Sequence, residues 1–412
     1  MVKRNQDIAK LQSNYLFAEI ARRKQEFLDA NSDAQVISLG IGDTTQPIPE
    51  IITNAFTEEA SKLSHADTYT GYGPPFGRAE LRERIAQTMY QNRISPEEVF
   101  ISDGSKCDIG RLQILFGNQC VIGVQDPSYP AYVGSTVMTG KSGEADRETG
   151  QYQGIRYLSC TPENNFCPSP EDLKGVDVFF LCSPNNPTGQ VFTRRQLEEY
   201  VQCAKQHKII IVYDTAYAAF IRDPEIPKTI FEIDGAEEVA LETGSFSKLF
   251  GFTGVRLGWT VVPEALHFDD GTPVRHDWMK VMTTVFNAPS NLAQGGGMAA
   301  LTDEGMEAGR NLVNYYLQNV DTLRKAVESA GFKCYGGVHA PYLWIDLDGL
   351  SSWEMFDKLL HQAHLVTTPG VGFGPSGEGF LRMSAFGSKK ATEEAAARIN
   401  KVMKAQKDPS VT

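Results

Sequence analysis

The sequence predicts an α/β protein: a mostly parallel sheet flanked by helices, followed by a smaller α+β unit. Three observations carry this expectation. Short apolar runs alternate with stretches of helical spacing through the middle of the chain, each run ends in polar or aromatic residues, and the texture changes after Asn291.

Taken in order, VFIS (99–102), CVIGV (120–124), VDVFFLC (176–182), IIIVYD (209–214) and VALETG (239–244) are apolar and rich in β-branched or aromatic residues, as buried strands are. Between them, RLQILFG and RRQLEEYVQCAKQH carry apolar residues at helical spacing. This α/β core spans about 45–285. Beyond Asn291 a long helical stretch, MEAGRNLVNYYLQNVDTLRKAVESAG, leads to two strands, YLWIDLD and GFLRMSAF, and to an amphipathic helix, TEEAAARINKVMKAQ. The expected division is an N-terminal arm (1–44) joining the small domain, a large domain (45–290) and a small C-terminal domain (291–412). No internal repeat or low-complexity segment interrupts it.

Composition narrows the function. The 412 residues suffice for roughly two domains, with 41% hydrophobic and 22% charged residues, an ordinary globular balance. Fifty-one acidic against 39 basic residues give a net charge of −12, and no block of like charge stands out. Extended nucleic-acid and anionic-membrane surfaces are therefore not expected. Seven cysteines (107, 120, 160, 167, 182, 203 and 334) are odd in number and never form C-x-x-C. That argues against a disulfide framework or structural zinc and for a reducing compartment. No apolar run reaches about 18 residues, so the expectation is a soluble cytoplasmic protein.

In open α/β sheets ligands gather at the carboxyl ends of the strands. After VFIS comes DGSKCDIGRL, a glycine turn opening a helix whose free amides suit a phosphate. After CVIGV comes QDPSYPAY with Tyr129; after VDVFFLC, SPNNPTG; after IIIVY, Asp214 and then Tyr217; after VALET, GSFSK with Lys248. Singly, each has a plain structural reading: a proline-rich turn, a strand-end cap, packing aromatics, a solvated lysine. Together they suit an aromatic aldehyde cofactor bearing a phosphate. Lys248 condenses with the aldehyde and later moves protons, and Asp214 keeps a pyridine nitrogen protonated. Asn186 and Tyr217 bond a phenolic oxygen, and Tyr129 stacks on the ring. Ser105, Ser245, Ser247 and the forked Arg256 hold the phosphate.

SPNNPTG, the Asp214/Tyr217 pair, SFSK and Arg256 resemble the fold type I aminotransferases that depend on pyridoxal 5'-phosphate, over essentially the whole chain. The resemblance implies a homodimer with shared active sites, where Tyr72 of GYG reaches the other subunit's cofactor phosphate. Within that family, NYLFAEIARR, SLGIGDTTQPIP, DTYTGYGPPFG, ISDGSKCDIGRL, QDPSYPAYV, HAPYLWIDL and TPGVGFGPSGEGFLRMSAFG are similar to the group acting on LL-diaminopimelate. That likeness implies exchange of an amino group between LL-2,6-diaminopimelate and 2-oxoglutarate, in lysine and cell-wall precursor synthesis. Arg382 then clamps the substrate α-carboxylate, helped by Gly42 and Asn186. Tyr15, Lys106, Tyr129 and the partner subunit's Asn287 line the pocket, and Lys106 lies beside the cofactor as well. One departure stands out: Pro74 and Pro75 replace an acidic residue that many members carry, which leaves selectivity for the LL over the meso isomer open.

Arg382 also has a reading from its own surroundings, since the apolar neighbours in FLRMSAF half bury it and a buried guanidinium needs an anion. Two motifs are set aside. Gly372, Gly374 and Gly377 satisfy G-x-G-x-x-G, but Pro375 removes an amide and a strand follows. His361 and His364 lack an intervening Glu and a third ligand, so no metal is expected. The alternatives are an aminotransferase for aspartate, aromatic or other amino acids, a carbon–sulfur lyase of the same fold, and a cofactor-sensing regulator. The last needs a DNA-binding module, for which the 40 residues before the core are too few.

Overall fold

The computed structural model describes residues 1–11, 15–147 and 149–407, the side chains of Tyr15 and Lys407 excepted. Its centre is a seven-stranded sheet in the order Val99–Ser102, Gly258–Val261, Ala240–Ser245, Ile210–Asp214, Val178–Cys182, Ile122–Asp126, Ile155–Ser159. The last five run parallel. Gly258–Val261 is antiparallel to both neighbours, so Val99–Ser102 points the same way as the parallel set. Six strands thus deliver their carboxyl ends to one rim.

Every residue of Val99–Ser102, Ile122–Asp126 and Val178–Cys182 is buried, which is why the sequence there is nearly continuous in apolar residues. Alternation sorts neighbours to opposite faces: Phe179 and Leu181 enter one hydrophobic cluster, Val178 and Phe180 the other. The first cluster continues into Leu343, Ile345, Leu381 and Met383 of a second sheet, so the two sheets share one core.

Two strands of the large sheet escape the sequence pattern. Ile155–Ser159 is an edge strand in which Arg156 and Ser159 are exposed, and Gly258–Val261 is short and opens on glycine. The strand expected at 120–124 lies at Ile122–Asp126, because the polar Gln125 is buried and its side-chain oxygen accepts from Cys182 N at 2.8 Å. The helix expected at RRQLEEYVQCAKQH is Arg194–His207. Thr193 and Gln196 form a capping box at its start, and Lys208 in the left-handed region ends it.

The second sheet is antiparallel, in the order Thr368–Pro369, Phe380–Ser384, Tyr342–Asp346, Cys334–Gly336. The 27-residue helix Asp303–Ser329 runs from the large sheet to this one, and its Tyr316 hydroxyl accepts from Thr45 N and Gln46 N at 3.1 and 2.9 Å. The N-terminal segment touches both parts of the chain. Ile37–Ser38 pairs in parallel with Leu365–Val366, and Arg23 bonds Asp357 at 2.5 Å. The helix Gln6–Lys10 instead lies by the large sheet, where Tyr152 donates to Lys10 O at 2.9 Å. All seven cysteines are unpaired. Among the described residues no helix is long and apolar enough to cross a membrane.

Candidate active site

Lys248 sits on the one-turn helix Phe246–Leu249 that follows the strand Ala240–Ser245. Ser245 Oγ accepts from Ser247 N at 3.1 Å and turns the chain, while buried Phe246 and Leu249 anchor it. The lysine Nζ donates to the Gly42 carbonyl oxygen and lies 5.3 Å from the Phe386 ring centre. Burial pushes this amine down to about 8; Asp43 opposes the shift, and the charges of Arg382 and Arg256 add to it. An amine so placed is partly unprotonated near neutrality, which an exposed lysine is not.

Asp214 ends the strand Ile210–Asp214 and is 4% exposed. Burial raises its carboxyl above the ordinary range, and two hydrogen bonds work against that: Tyr132 Oη donates to Oδ2 at 2.8 Å, and Ala216 N to Oδ1 at 3.0 Å. No cation of the described residues pairs with it, so a protonated ring nitrogen would satisfy it. The following Tyr217 meets the Tyr342 hydroxyl at 2.7 Å, with the two rings edge to face.

Arg382 reaches the rim from the second sheet and is 3% exposed. Its Nη1 donates to the Asn186 side-chain oxygen at 2.7 Å, and its Nη2 to the Gly40 carbonyl. The guanidinium lies 4.5 Å from the Tyr342 ring centre and 4.7 Å from that of Phe373. Among the described residues its Nε has no hydrogen-bond partner and no carboxylate forms an ion pair with it. Burial lowers its pKa, yet a guanidinium stays charged in proteins. A buried cation with an open donor and neutral partners is an anion site.

A second anion site lies at the first strand's end. Gly104, at φ 115°, opens the helix Ser105–Leu112 with no side-chain cap, which leaves the Ser105 and Lys106 amides without a partner among the described residues. Arg256 adopts φ 68°, and its Nη1 donates to Thr253 O at 3.2 Å and Ser247 Oγ at 3.5 Å. A side chain on Gly104 would collide with Arg256 Nη2, which places the guanidinium beside the helix start. Ser105, Ser245, Ser247 and Arg256 therefore gather as a phosphate would require. Tyr129 lies at the start of the helix Pro130–Met138; burial pushes its hydroxyl up to about 12, Asp214 adds to the shift, and Arg256 and Arg382 oppose it.

The structure thus brings together Gly42, Tyr129, Asn186, Asp214, Tyr217, Lys248, Arg256 and Arg382, with the serines at one end. It does not bring in three others. Tyr72 is 88% exposed, and Lys106 and Asn287 are also at the surface of the chain. The Tyr15 side chain lies outside the described residues. The G-x-G-x-x-G segment forms the turns Gly370–Phe373 and Pro375–Gly377, where a side chain on Gly374 would strike Asp126. The His361 and His364 rings pack on Phe27 at 5.3 and 5.2 Å, and no group able to hold a metal ion occurs among the described residues.

Sequence reasoning missed Tyr132, Tyr342 and the Gly40 carbonyl. The two tyrosines interrupt apolar runs, PSYPAYV and HAPYLWIDL, and in such runs a tyrosine reads as core. Their position beside Tyr129 and in the strand preceding Arg382 was the available signal.

The family model for aminotransferases of class I and II matches residues 34–399. The chain is 54% identical over 399 residues to the LL-diaminopimelate aminotransferase of Protochlamydia amoebophila, covering 97% of each. It is 50% identical to the chloroplastic LL-diaminopimelate aminotransferase of Arabidopsis thaliana, covering 98% of this chain and 87% of the other. Among solved structures, the L,L-diaminopimelate aminotransferase from Chlamydomonas reinhardtii superposes with a TM-score of 0.92 at 49% identity, covering 96% and 98%.

Proposed function

The chain belongs to the class I and II aminotransferases, and from that membership we infer that it interconverts LL-2,6-diaminopimelate and 2-oxoglutarate with tetrahydrodipicolinate, glutamate and water. This is the transamination of diaminopimelate and lysine synthesis. The observation that carries the substrate is the 54% identity, across 97% of both chains, to a protein named for that activity. Neither aspartate nor an aromatic amino acid has comparable support.

Pyridoxal 5'-phosphate is the cofactor that the donor set fits. Its phosphate suits the uncapped helix start at Ser105 together with Ser245, Ser247 and Arg256. Its ring nitrogen suits Asp214, a buried carboxylate that no cation of the described residues pairs with. When bound, it supplies an aldehyde to carry the amino group and a ring that draws electrons from the substrate carbon.

The chain's own residues divide the remaining work. Lys248 is the attachment point and, once released, the base that takes the proton from the substrate Cα and returns it; an amine brought down to about 8 suits both tasks. Asn186 spends its oxygen on Arg382, which leaves its amide N–H groups for the phenolic oxygen beside Tyr217. Arg382 takes the α-carboxylate of the amino acid and the oxo acid in turn. Tyr129 packs against the ring, and Gly42, Tyr15, Lys106 and the partner subunit's Asn287 border the substrate.

Exposed Tyr72 and Asn287 support a homodimer in which each contributes to the partner's site. Seven unpaired cysteines suit the reducing cytoplasm.

The test is glutamate formation from 2-oxoglutarate with LL-diaminopimelate, meso-diaminopimelate, aspartate or phenylalanine as donor. LL-diaminopimelate should support turnover and aspartate should not. Turnover with aspartate or phenylalanine and with neither diaminopimelate isomer would overturn the substrate. Turnover with the meso isomer as well would trace to Pro74 and Pro75, which offer no carboxylate.

A further inference from the structure

Behind the candidate site, Tyr132 on the helix Pro130–Met138 is completely buried. Its ring stacks on Phe180 at 5.2 Å with planes 22° apart, and meets Tyr129 edge to face at 5.7 Å and 85°. Its hydroxyl donates to Asp214 Oδ2 at 2.8 Å. The other carboxylate oxygen takes the Ala216 backbone amide. Among the described residues, Tyr132 is therefore the one side chain that donates to Asp214.

We propose that Tyr132 is a positioning residue, acting through Asp214 and Tyr129 to set the charge and orientation of the groups that hold the cofactor ring. The inference rests on the assignment of Asp214 to the ring nitrogen. A carboxylate buried without a cation depends on its hydrogen bonds to remain ionised. One of the two is a backbone amide, so the one side-chain control of the carboxylate among the described residues is the hydroxyl. Burial holds that hydroxyl well above its ordinary pKa, so it remains a donor throughout the working range. The other titratable groups facing Asp214 are the Cys182 thiol and the Tyr129 hydroxyl, both raised by burial and both neutral near pH 7. Neither competes with Tyr132 for this role. The same ring meets Tyr129 edge to face, so one residue touches two of the groups assigned to the cofactor.

The experiment compares wild type, Y132F, D214N and the double variant, each stripped of cofactor and checked for folding by circular dichroism. Two quantities are read: the dissociation constant for pyridoxal phosphate, and the pH midpoint of the bound cofactor's visible band. Y132F keeps the ring and its stacking, so it should fold, yet bind about tenfold more weakly. Its band midpoint should move up by about one pH unit, because a ring that holds its own proton less firmly repels a second proton less. In the D214N background the same substitution should change neither quantity by more than about twofold, since the hydrogen bond has lost its charged acceptor. Wild-type affinity and midpoint in Y132F would overturn the proposal. So would an equal loss with and without Asp214, which would mark a merely structural tyrosine. Failure of the wild type itself to bind pyridoxal phosphate would remove the assignment of the site, and the proposal with it.

Discussion

Replacing Lys248 by methionine should stabilise the cofactor-free protein at neutral pH and cease to do so in alkali. Methionine matches the length of the lysine stem and carries no charge. Burial brings the Lys248 amine from 10.5 to about 8. At 1.36 kcal/mol per unit, the charged form is about 3 kcal/mol less favourable in the folded chain than in the unfolded one. The folded value lies below the unfolded value, so between pH 8 and 10.5 the folded chain binds fewer protons. Wild-type stability therefore rises with pH through that window. Below about pH 8 the full penalty applies and K248M should lead by about 3 kcal/mol; near 10.5 the lead should approach zero. Every other titrating group is common to both proteins and cancels in the difference. Loss of the bond to the partly exposed Gly42 carbonyl trims the lead, since water replaces it there. Urea midpoints of the two stripped proteins at pH 7, 8.5 and 10 measure the gap. A gap that does not change with pH, or a wild type more stable at pH 7, would refute the claim that Lys248 is held as a strained ammonium.

Other substitutions address the remaining groups. R382M should lower kcat/KM at least hundredfold for the amino acid and for 2-oxoglutarate alike, because two charge-assisted hydrogen bonds of about 1.5–3 kcal/mol each are lost. R382K should recover only part, lacking the planar fork, and a loss below tenfold in R382M would exclude the carboxylate clamp. G104A forces a side chain onto a residue at φ 115° and into Arg256 Nη2. It should weaken pyridoxal phosphate at least about tenfold while leaving the weaker binding of pyridoxal, which has no phosphate, unchanged; titration of the stripped protein reads both. Mixing Y72A and K248A subunits should restore about a quarter of wild-type activity. Half the dimers then combine an intact Lys248 with the partner's intact Tyr72 at one site. No recovery would place Tyr72 in its own subunit's site.

The large sheet was legible because its central strands are buried on both faces and are therefore mostly apolar until they end. The polar group at each end, whether Asp214, Asn186 or Lys248, thereby marked the rim. Ile155–Ser159 was not legible because an edge strand alternates, and its arginine and serine break the apolar signature. Arg382 showed itself as a charge in an apolar strand, but Tyr342 in the paired strand did not, since only the 2.7 Å contact with the Tyr217 hydroxyl separates it from a packing aromatic. Tyr72, Lys106 and Asn287 owed their place in the sequence reading to family likeness, and one chain leaves all three at its surface. The three glycines at 372, 374 and 377 have a packing reason: side chains there would strike Leu16, Asp126 and the Gly370 carbonyl.

What the sequence could not express is how the charged groups are kept apart. Arg382 and Asp214 are buried and Lys248 half-buried at the same rim, and among the described residues no ion pair joins either cation to the carboxylate. Instead the lysine is held by the Gly42 carbonyl, the arginine by Asn186 and the Gly40 carbonyl, and the carboxylate by a tyrosine and a backbone amide. Neutral partners of this kind satisfy donors and acceptors, so the fold tolerates the burial, but they cancel no charge. An internal ion pair would have to be broken before a ligand could bind, and breaking a buried pair costs about 3–5 kcal/mol. With neutral partners a ligand's carboxylate, phosphate and ring nitrogen add neutralisation that the chain withholds from itself. The segment Gly40 to Asp43 is central to this, because two of its carbonyls hold the two cations and Asp43 moderates the shift at Lys248. Its glycines follow from the same need: side chains at 40 and 42 would strike the Thr367 backbone and the Tyr342 hydroxyl, and would push those carbonyls off the charges they hold.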